Sequence, residues 1–435
     1  MKKNISKTTK TQKEGNGKRK QLQARKRNMA GLETAKKRKA KRSRVDGEVK
    51  QEASQAAEEG QAVVEFKAGE GEGYTIGIDI GDKRSRYCIL DKEGKILRES
   101  SVATLPGALK TVFSKLAGCR IAMEVGTHSP WVSRLLTALG HEVIVANARE
   151  VPLIYKSRRK NDKLDAEKLA RLGRMDPKLL KGIRHRGAEG QGDLLLIRSR
   201  AQLVETRTGL MNMVRGLVKS RGERLPGCTS EGFVVELLEG VDEAAVRALK
   251  PVMVLIEQMT ETIKGYDQQV EEMGKKHAEI ARLEQVKGVG PLIAATYVLT
   301  IEDAERFRRS RDVGGYLGLV PGQSDSGESQ PQKRITKAGD GYLRYLLVQG
   351  AHYILGPNGP DTDLRRWGLK LGSSGGDRGK KRAVVAVARK LAILLLVLWK
   401  TGAKYESLRN SDKQEKEQKQ KQDKQDKQEK QKVAA

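Results

Sequence analysis

Aromatic side chains are scarce in this chain of 435 residues, where Phe, Trp and Tyr together make up 4%. A platform on which successive bases stack needs several exposed rings, so that mode of single-strand binding is disfavoured. Cysteine is nearly missing too. Cys88, Cys119 and Cys228 have neither metal-type spacing nor an even count, and they read as core thiols in a reducing cytosol. No long apolar run is uninterrupted. The longest, Ala383 to Trp399, is broken by Arg389-Lys390, which predicts a buried helix and no membrane span. The charged start lacks the apolar core of a secretory leader, so a cytoplasmic location is expected.

Positive charge is what the chain has in excess. Lys and Arg number 85 against 55 Asp and Glu, a formal net charge of +30. Such an excess favours a polyanionic partner, whose counterions are released as phosphates are neutralised. Residues 1–50 hold 19 Lys/Arg and 4 Asp/Glu, a net of +15 and half the excess. Apolar residues there are too few to offset the entropy of ordering, so residues 1–72 are expected to be a disordered basic arm. From Ser411 onward the sequence is Lys/Gln/Glu/Asp low complexity, and 406–435 is expected to be a charged tail.

Between these ends, 73–190 reads as a first domain. Residues 74–80 form an apolar run that Gly81-Asp82 breaks, 86–90 returns, Asp91-Lys92-Glu93-Gly94-Lys95 makes a hairpin turn, and 96–102 is a third strand. A helix near 106–116, a strand over 120–125, a helix through 131–139, a strand over 141–146 and a helix from Asp162 follow. Three antiparallel strands succeeded by alternating helices and strands match an α/β ribonuclease-H-like layer arrangement.

Carboxylates occupy telling places in that pattern. Asp79 lies within Ile76-Gly77-Ile78-Asp79-Ile80 and Glu124 within Ile121-Ala122-Met123-Glu124-Val125, flanks in which a charge is rarely decorative. Asp162 and Asp165 are three apart and share a helix face. Four hard oxygen donors converging over a sheet would bind Mg²⁺ or Mn²⁺. Two such ions about 4 Å apart can clamp the attacking and leaving oxygens of an in-line phosphoryl displacement. Taken singly each acid has a plainer reading: Asp79 as a turn former, Asp162 and Asp165 as acids favoured at a helix N-terminus.

Further on, 191–282 reads as a helical or coiled-coil spacer. Leu196, Leu203, Leu210 and Leu217 recur every seven residues, each followed by an apolar partner (Ile197, Val204, Met211, Val218). A second stripe runs from Val246 to Met273. The two helices would pair as an antiparallel or intermolecular coiled coil, or as a hairpin packed on its own domain. In 283–405, Val286-Lys287-Gly288-Val289-Gly290-Pro291 resembles a helix-hairpin-helix phosphate clasp, with a tight packing turn as the alternative. A polar loop over 322–333 then holds Ser324 and Ser326 among Lys333, Arg334, Lys337 and Arg344. A serine beside four cations can attack a phosphodiester while the cations steady the developing charge.

The ordered set of motifs resembles one family. Gly77-Ile78-Asp79, Met123-Glu124 and Asp162-x-x-Asp165-Ala166 are followed by Gly288-Val289-Gly290, Gly318-Leu319-x-Pro321 and Ser326-Gly327. Lys337-x-Gly339-Asp340, Leu343-Arg344 and Ala386-Val387-Ala388-Arg389-Lys390-Leu391 complete the series. This is similar to the DEDD-type transposases of the IS110/IS116/IS902 insertion sequences, a group that includes Piv-like DNA invertases. The resemblance implies a RuvC-like nuclease domain whose metal ligands are Asp79, Glu124, Asp162 and Asp165. It also implies a helical spacer and a mainly α C-terminal transposase domain delivering Ser326, with Ser324 as the alternative nucleophile. Implied partners are element and target DNA, a structured bridge RNA and further copies of the chain as a dimer or tetramer, with a bacterial, nucleoid-associated location. Asn161, Glu328 and the long basic arm depart from the family pattern. A junction resolvase or DNA invertase of the same fold, or a nucleic-acid-binding relative without catalysis, are the alternative readings. Gly-Ile-Asp-Ile-Gly also opens sugar-kinase and actin-like ATPases, but the later glycine-rich phosphate loops those need are not found.

Overall fold

The computed structural model describes residues 71–116, 118–147, 162–324 and 333–410, with the Asp162 and Lys163 side chains excepted. The basic arm, most of the charged tail and Ser326 lie outside the described residues. Two compact units divide the chain, Met1–His185 and Arg186–Ala435.

In the first unit, five strands form one mixed sheet: β1 (Thr75–Asp79), β2 (Arg84–Leu90), β3 (Ile96–Ala103), β4 (Arg120–Glu124) and β5 (Glu142–Ala146). Their order is β3-β2-β1-β4-β5. The β1/β2 and β2/β3 pairs are antiparallel, and β1/β4 and β4/β5 are parallel. Hairpins suffice for the antiparallel pairs, whereas each parallel pair requires a crossover. The helices α1 (Pro106–Phe113) and α2 (Ser129–Ala138) lie in those two crossovers. The turn after β2 closes because the Asp91 carboxylate accepts from Glu93 N at 3.0 Å and Lys95 N at 2.8 Å. This α/β arrangement with a helical second unit fits a ribonuclease-H-like N-terminal domain.

Side chains alternate across a strand, so each residue of β1 is committed to one face. Ile76 and Ile78 join Tyr87, Ile89, Ile121 and Met123 on the face that packs against Leu109, Phe113, Val132 and Leu136 of α1 and α2. The opposite face carries Cys88, Leu90, Ala122 and Ala146 beneath Ala166, Leu169 and Ala170 of α3 (Asp162–Met175). Gly77 lies on that second face. A Cβ there would stand 1.9 Å from the Ala166 carbonyl oxygen, so α3 rests directly on bare β1 backbone.

The second unit is helical. The helices α4 (Ala188–Ser220) and α5 (Glu243–Lys276) pair with each other inside one chain. Their contacts fix an antiparallel register, with Arg200 bonded to Asp267 at 2.5 Å and Arg207 to Thr260 at 3.1 Å. Leu194, Ile197, Val270 and Met273 at one end share a core with α6 (Ala278–Leu283), α7 (Pro291–Ile301), α9 (Gly341–Leu355) and α11 (Gly376–Thr401). The spacer expected over 191–282 thus shares packing with 283–405. Completing the unit are α8 (Asp312–Tyr316) and α10 (Asp363–Gly372). At the far end, Phe233 and Leu238 from the connection between α4 and α5 cover Val214, Val218, Leu249 and Met253.

Two readings left open by the sequence are narrowed here. The leucine column is not the deepest seam of α4, because Ile197 and Val218 are fully buried while Leu217 is 46% exposed. Gly288 (φ +89) serves close packing: a Cβ would meet Ile354 of α9 at 2.7 Å and the Gly350 carbonyl at 3.2 Å. The turn packs on α9, which favours the packing-turn alternative over a phosphate clasp at Gly288. The helix it opens, α7, is buried from Ala294 to Ile301, as expected of a central core helix.

Candidate functional site

Strand register brings the first two acids together. Ile78 pairs with Met123 across the parallel β1/β4 ladder, and Asp79 and Glu124 are the next residues and the last of each strand. Neighbouring strands are about 5 Å apart, which sets the spacing of these two backbones. Parity puts Asp79 on the Gly77 face and Glu124 on the Ala122 face, and both are the face that α3 covers.

The direction of α3 decides which of its residues approach them. Gly173, near its C-terminus, lies over Thr75 and Ala122, whereas Ala166 and Ala170 lie over Gly77. The helix therefore runs against β1, and its first turn points to the strand end that carries Asp79. Asp162 is its first residue, and Asp165 immediately precedes Ala166. Asp165 is buried at 6% exposure and receives the Lys168 ammonium at 3.1 Å. An uncompensated buried carboxylate would be costly, and Lys168 supplies the balancing charge from within the same helix.

The acids on this face are hard oxygen donors of the kind that magnesium and manganese prefer. Among the described residues no three carboxylate, imidazole or thiol side chains stand close enough to hold a metal ion. The Asp162 side chain is not among those residues. Asp79, Glu124 and Asp165 lie at one end of one face but are not drawn together into a three-acid cluster, and Lys168 occupies Asp165.

Imidazoles that sequence reasoning passed over stand at the same end. His128, four residues past Glu124, accepts from Trp131 Nε1 through its Nδ1 at 3.1 Å. Its Nε2 therefore carries the proton and faces Asp82 Oδ1 at 3.4 Å. The buried Ser129 hydroxyl meets Gly126 N at 2.9 Å, Gly126 O at 2.8 Å and His185 Nε2 at 2.8 Å. The legible signal was His128-x-x-Trp131, whose spacing puts both rings on one helix face directly after the strand bearing Glu124.

In the second unit the serine loop is tied at its base. Pro321 and Ile335 form an antiparallel bridge, Gly322 N donates to Arg334 O at 2.9 Å, and Thr336 N donates to Val320 O at 2.9 Å. Two glycines lock this base to the turn before α9. A Cβ on Gly318 (φ +67) would stand 2.3 Å from Ala338 N, and one on Gly339 (φ +67) 2.0 Å from Tyr316 O. Between them Lys337 adopts φ 55, a left-handed backbone that disfavours a side chain. Ser324 is exposed on the ascending limb, and Ser326 lies outside the described residues.

The four cations grouped by sequence separate into two kinds. Lys333, Arg334 and Lys337 are exposed. Arg344 is half-buried and turns inward, donating from Nη1 to Leu317 O at 3.0 Å and to Ala338 O at 2.8 Å. It braces the glycine-locked turn. Asp340 is structural too: it caps α9 by accepting from Leu343 N at 2.8 Å and pairs with Arg198 of α4.

Comparison with known proteins adds a family. A family model described as "Transposase" matches residues 76–221, and one described as "Transposase IS116/IS110/IS902 family" matches residues 280–361. The transposase for insertion sequence element IS1111A of Coxiella burnetii is 28% identical over 335 residues, covering 74% of this chain and 88% of that protein. A probable family 20 transposase of Pseudomonas aeruginosa is 30% identical over 300 residues, covering 67% and 87%. The transposase for insertion sequence element IS1328 of Yersinia enterocolitica is 28% identical over 288 residues, covering 64% and 83%. No helix among the described residues is long and apolar enough to cross a membrane. With both units matched in order along the sequence, the chain belongs to the IS116/IS110/IS902 family of transposases.

Proposed function

We propose that this chain is the transposase of an insertion sequence in which Asp79, Glu124, Asp162 and Asp165 hold Mg²⁺ or Mn²⁺ and Ser326 is the nucleophile. Membership of the family makes it an enzyme that cleaves and rejoins DNA. The observation that supports the metal assignment is that Asp79 and Glu124 directly follow the paired Ile78 and Met123 and share the face that α3 covers. A bound divalent ion would neutralise phosphate charge during in-line displacement.

The chain's own groups then divide the work. Ser326 Oγ attacks phosphorus and forms a phosphoserine ester as the bond to the departing deoxyribose oxygen breaks. The serine proton is given up and the leaving oxygen takes one, so protons balance. Attack by a new strand end reverses the exchange and restores the serine, and the energy of the phosphodiester bond is kept throughout. Lys333, Arg334 and Lys337, exposed at the loop base, favour the approach of a phosphate. Guidance by an element-encoded structured RNA and assembly as a homo-oligomer extend the family resemblance to this chain, and the basic arm supports a nucleic-acid partner.

Strand exchange by purified Asp79→Ala and Ser326→Ala proteins tests this reading. Both are expected to lose roughly 10³-fold or more in activity while still binding DNA. Full recombination by the Ser326→Ala protein rejects the serine role, and loss in Ser324→Ala alone would transfer it. Sequencing the nucleic acid that co-purifies with the chain tests the guide: a discrete structured transcript supports it, and random host fragments count against it.

A further inference from the structure

Beyond residue 361, where neither family model reaches, the chain builds a second basic surface. From Leu364 to Thr401 there are ten Lys/Arg and one acid, Asp377. We infer that the exposed cations of the α10–α11 hairpin, led by Lys370, Arg378 and Lys381, form a docking surface for the backbone of duplex DNA. The inference rests on the transposase reading and deepens it by naming a surface of the second unit that holds DNA.

Glycine packing fixes which residues face outward. A Cβ on Gly368 would stand 2.5 Å from Val387 Cγ2, one on Gly372 3.3 Å from Ala383 Cβ, and one on Gly379 2.1 Å from Ser374 O. These close approaches lock the rotation of α11 about its axis. Ala383, Val387, Ala388 and Leu391 consequently face the core. Arg378 and Lys381 are left exposed in its first turns and Lys390 further along, with Lys370 exposed on α10.

Several cations of the segment are already engaged. Arg365 donates to the carbonyls of Ile354 and Gly356, Arg366 is held bidentately by Asp361, and Lys400 donates to Phe307 O. Arg389 lies against Gly314, and Asp377 faces Lys380 at 3.6 Å. What remains outward at the hairpin end is Lys370, Arg378 and Lys381; Lys390, nine residues past Lys381, lies half a turn around on the other side of α11.

The cluster presents no open ring for base stacking, and its exposed charges suit the regularly spaced phosphates of a duplex. Trp367 offers no open face for base stacking, because the Lys390 ammonium sits 3.8 Å from its ring centroid. That contact also holds Lys390 at a defined position on the surface.

Salt dependence of binding reads this directly. The full chain is titrated with a random-sequence DNA duplex across a salt series, and log K is plotted against log salt. For Arg378→Ala/Lys381→Ala the slope is expected to fall in magnitude by about 1.8, or about 0.9 for each lost phosphate contact. A control with the same charge loss, Lys275→Ala/Lys276→Ala on the exposed end of α5, is expected to change it by less than half as much. Lys370→Ala provides an independent single-site check, with an expected fall of about 0.9. Equal slopes for the wild type and both hairpin variants overturn the inference. So does an equal effect of the control, or an effect confined to double-stranded RNA of the same sequence. Because only binding is measured, failure here leaves the assignments of Asp79 and Ser326 untouched.

Discussion

Asp79 and Glu124 end two neighbouring strands of a hydrogen-bonded sheet, whereas the described residues nearest Ser326 in sequence lead to a segment base closed by the Pro321–Ile335 bridge. In the first unit the backbone ladder sets the spacing of the acids, so site and fold share their supports. In the second, a glycine clasp sets the base of the loop, and the cations beside it are free of core packing except Arg344. The difference teaches where damage should appear. A change near the acids ought to weaken the first unit along with the chemistry, whereas one at the loop base ought to weaken the chemistry and leave the first unit's stability intact.

The largest expected effect is at Gly77. Gly77→Val drives a side chain into the Ala166 carbonyl, which cannot yield without moving α3. The expected cost is about 3 kcal/mol or more, read as loss of the first unit's cooperative transition in urea. A variant that melts normally and still exchanges strands would break the view that α3 is seated on bare backbone. Next comes Gly339→Ala. Its φ of +67 and the 2.0 Å approach to Tyr316 O predict a loss of about 1–3 kcal/mol. Hydrogen exchange should show that loss in the second unit alone, with strand exchange reduced. Faster exchange spread across β1 and β4 would erase the proposed separation.

The smallest effect concerns pH and sharpens the comparison from the first unit's side. Burial pushes the His141 pKa below its ordinary 6.5, with the bond to the Phe113 carbonyl opposing. The unfolded chain binds a proton near 6.5 that the folded chain resists. Stability is therefore full above that pH and declines as pH falls from 6.5 toward the folded pKa. His141→Gln should flatten this slope between about pH 7 and pH 5, as thermal melting can show. An unchanged slope would remove His141 as its source.

Much of the first unit could be read directly from residue order. Ile76-Gly77-Ile78-Asp79 already committed the glycine and the acid to one face, and the hairpin turn at Asp91–Lys95 already implied antiparallel pairing of β2 and β3. The α4 seam was harder. Leucines and their apolar neighbours offer two columns of equal hydrophobicity, and covering Val214 and Val218 falls to Phe233 and Leu238, which approach only in three dimensions. Arg344 was ambiguous for a similar reason. A cation near a serine in sequence can face a phosphate or a carbonyl, and local pattern does not distinguish the two.

Sequence by itself determined the charge excess, the alternation that commits Asp79 to the side of Gly77 and Glu124 to the side of Ala122, and the ordered motifs that mark the family. These follow from chemistry and periodicity along the chain. Tertiary structure alone decided the register that brings the Asp79 and Glu124 strand ends side by side, the heading of α3, the inward turn of Arg344 and the exposure of cations at the start of α11. Each of those depends on how closely two backbones approach, and glycines at Gly77, Gly318, Gly339 and Gly368 set that approach only once the partner segment is in place.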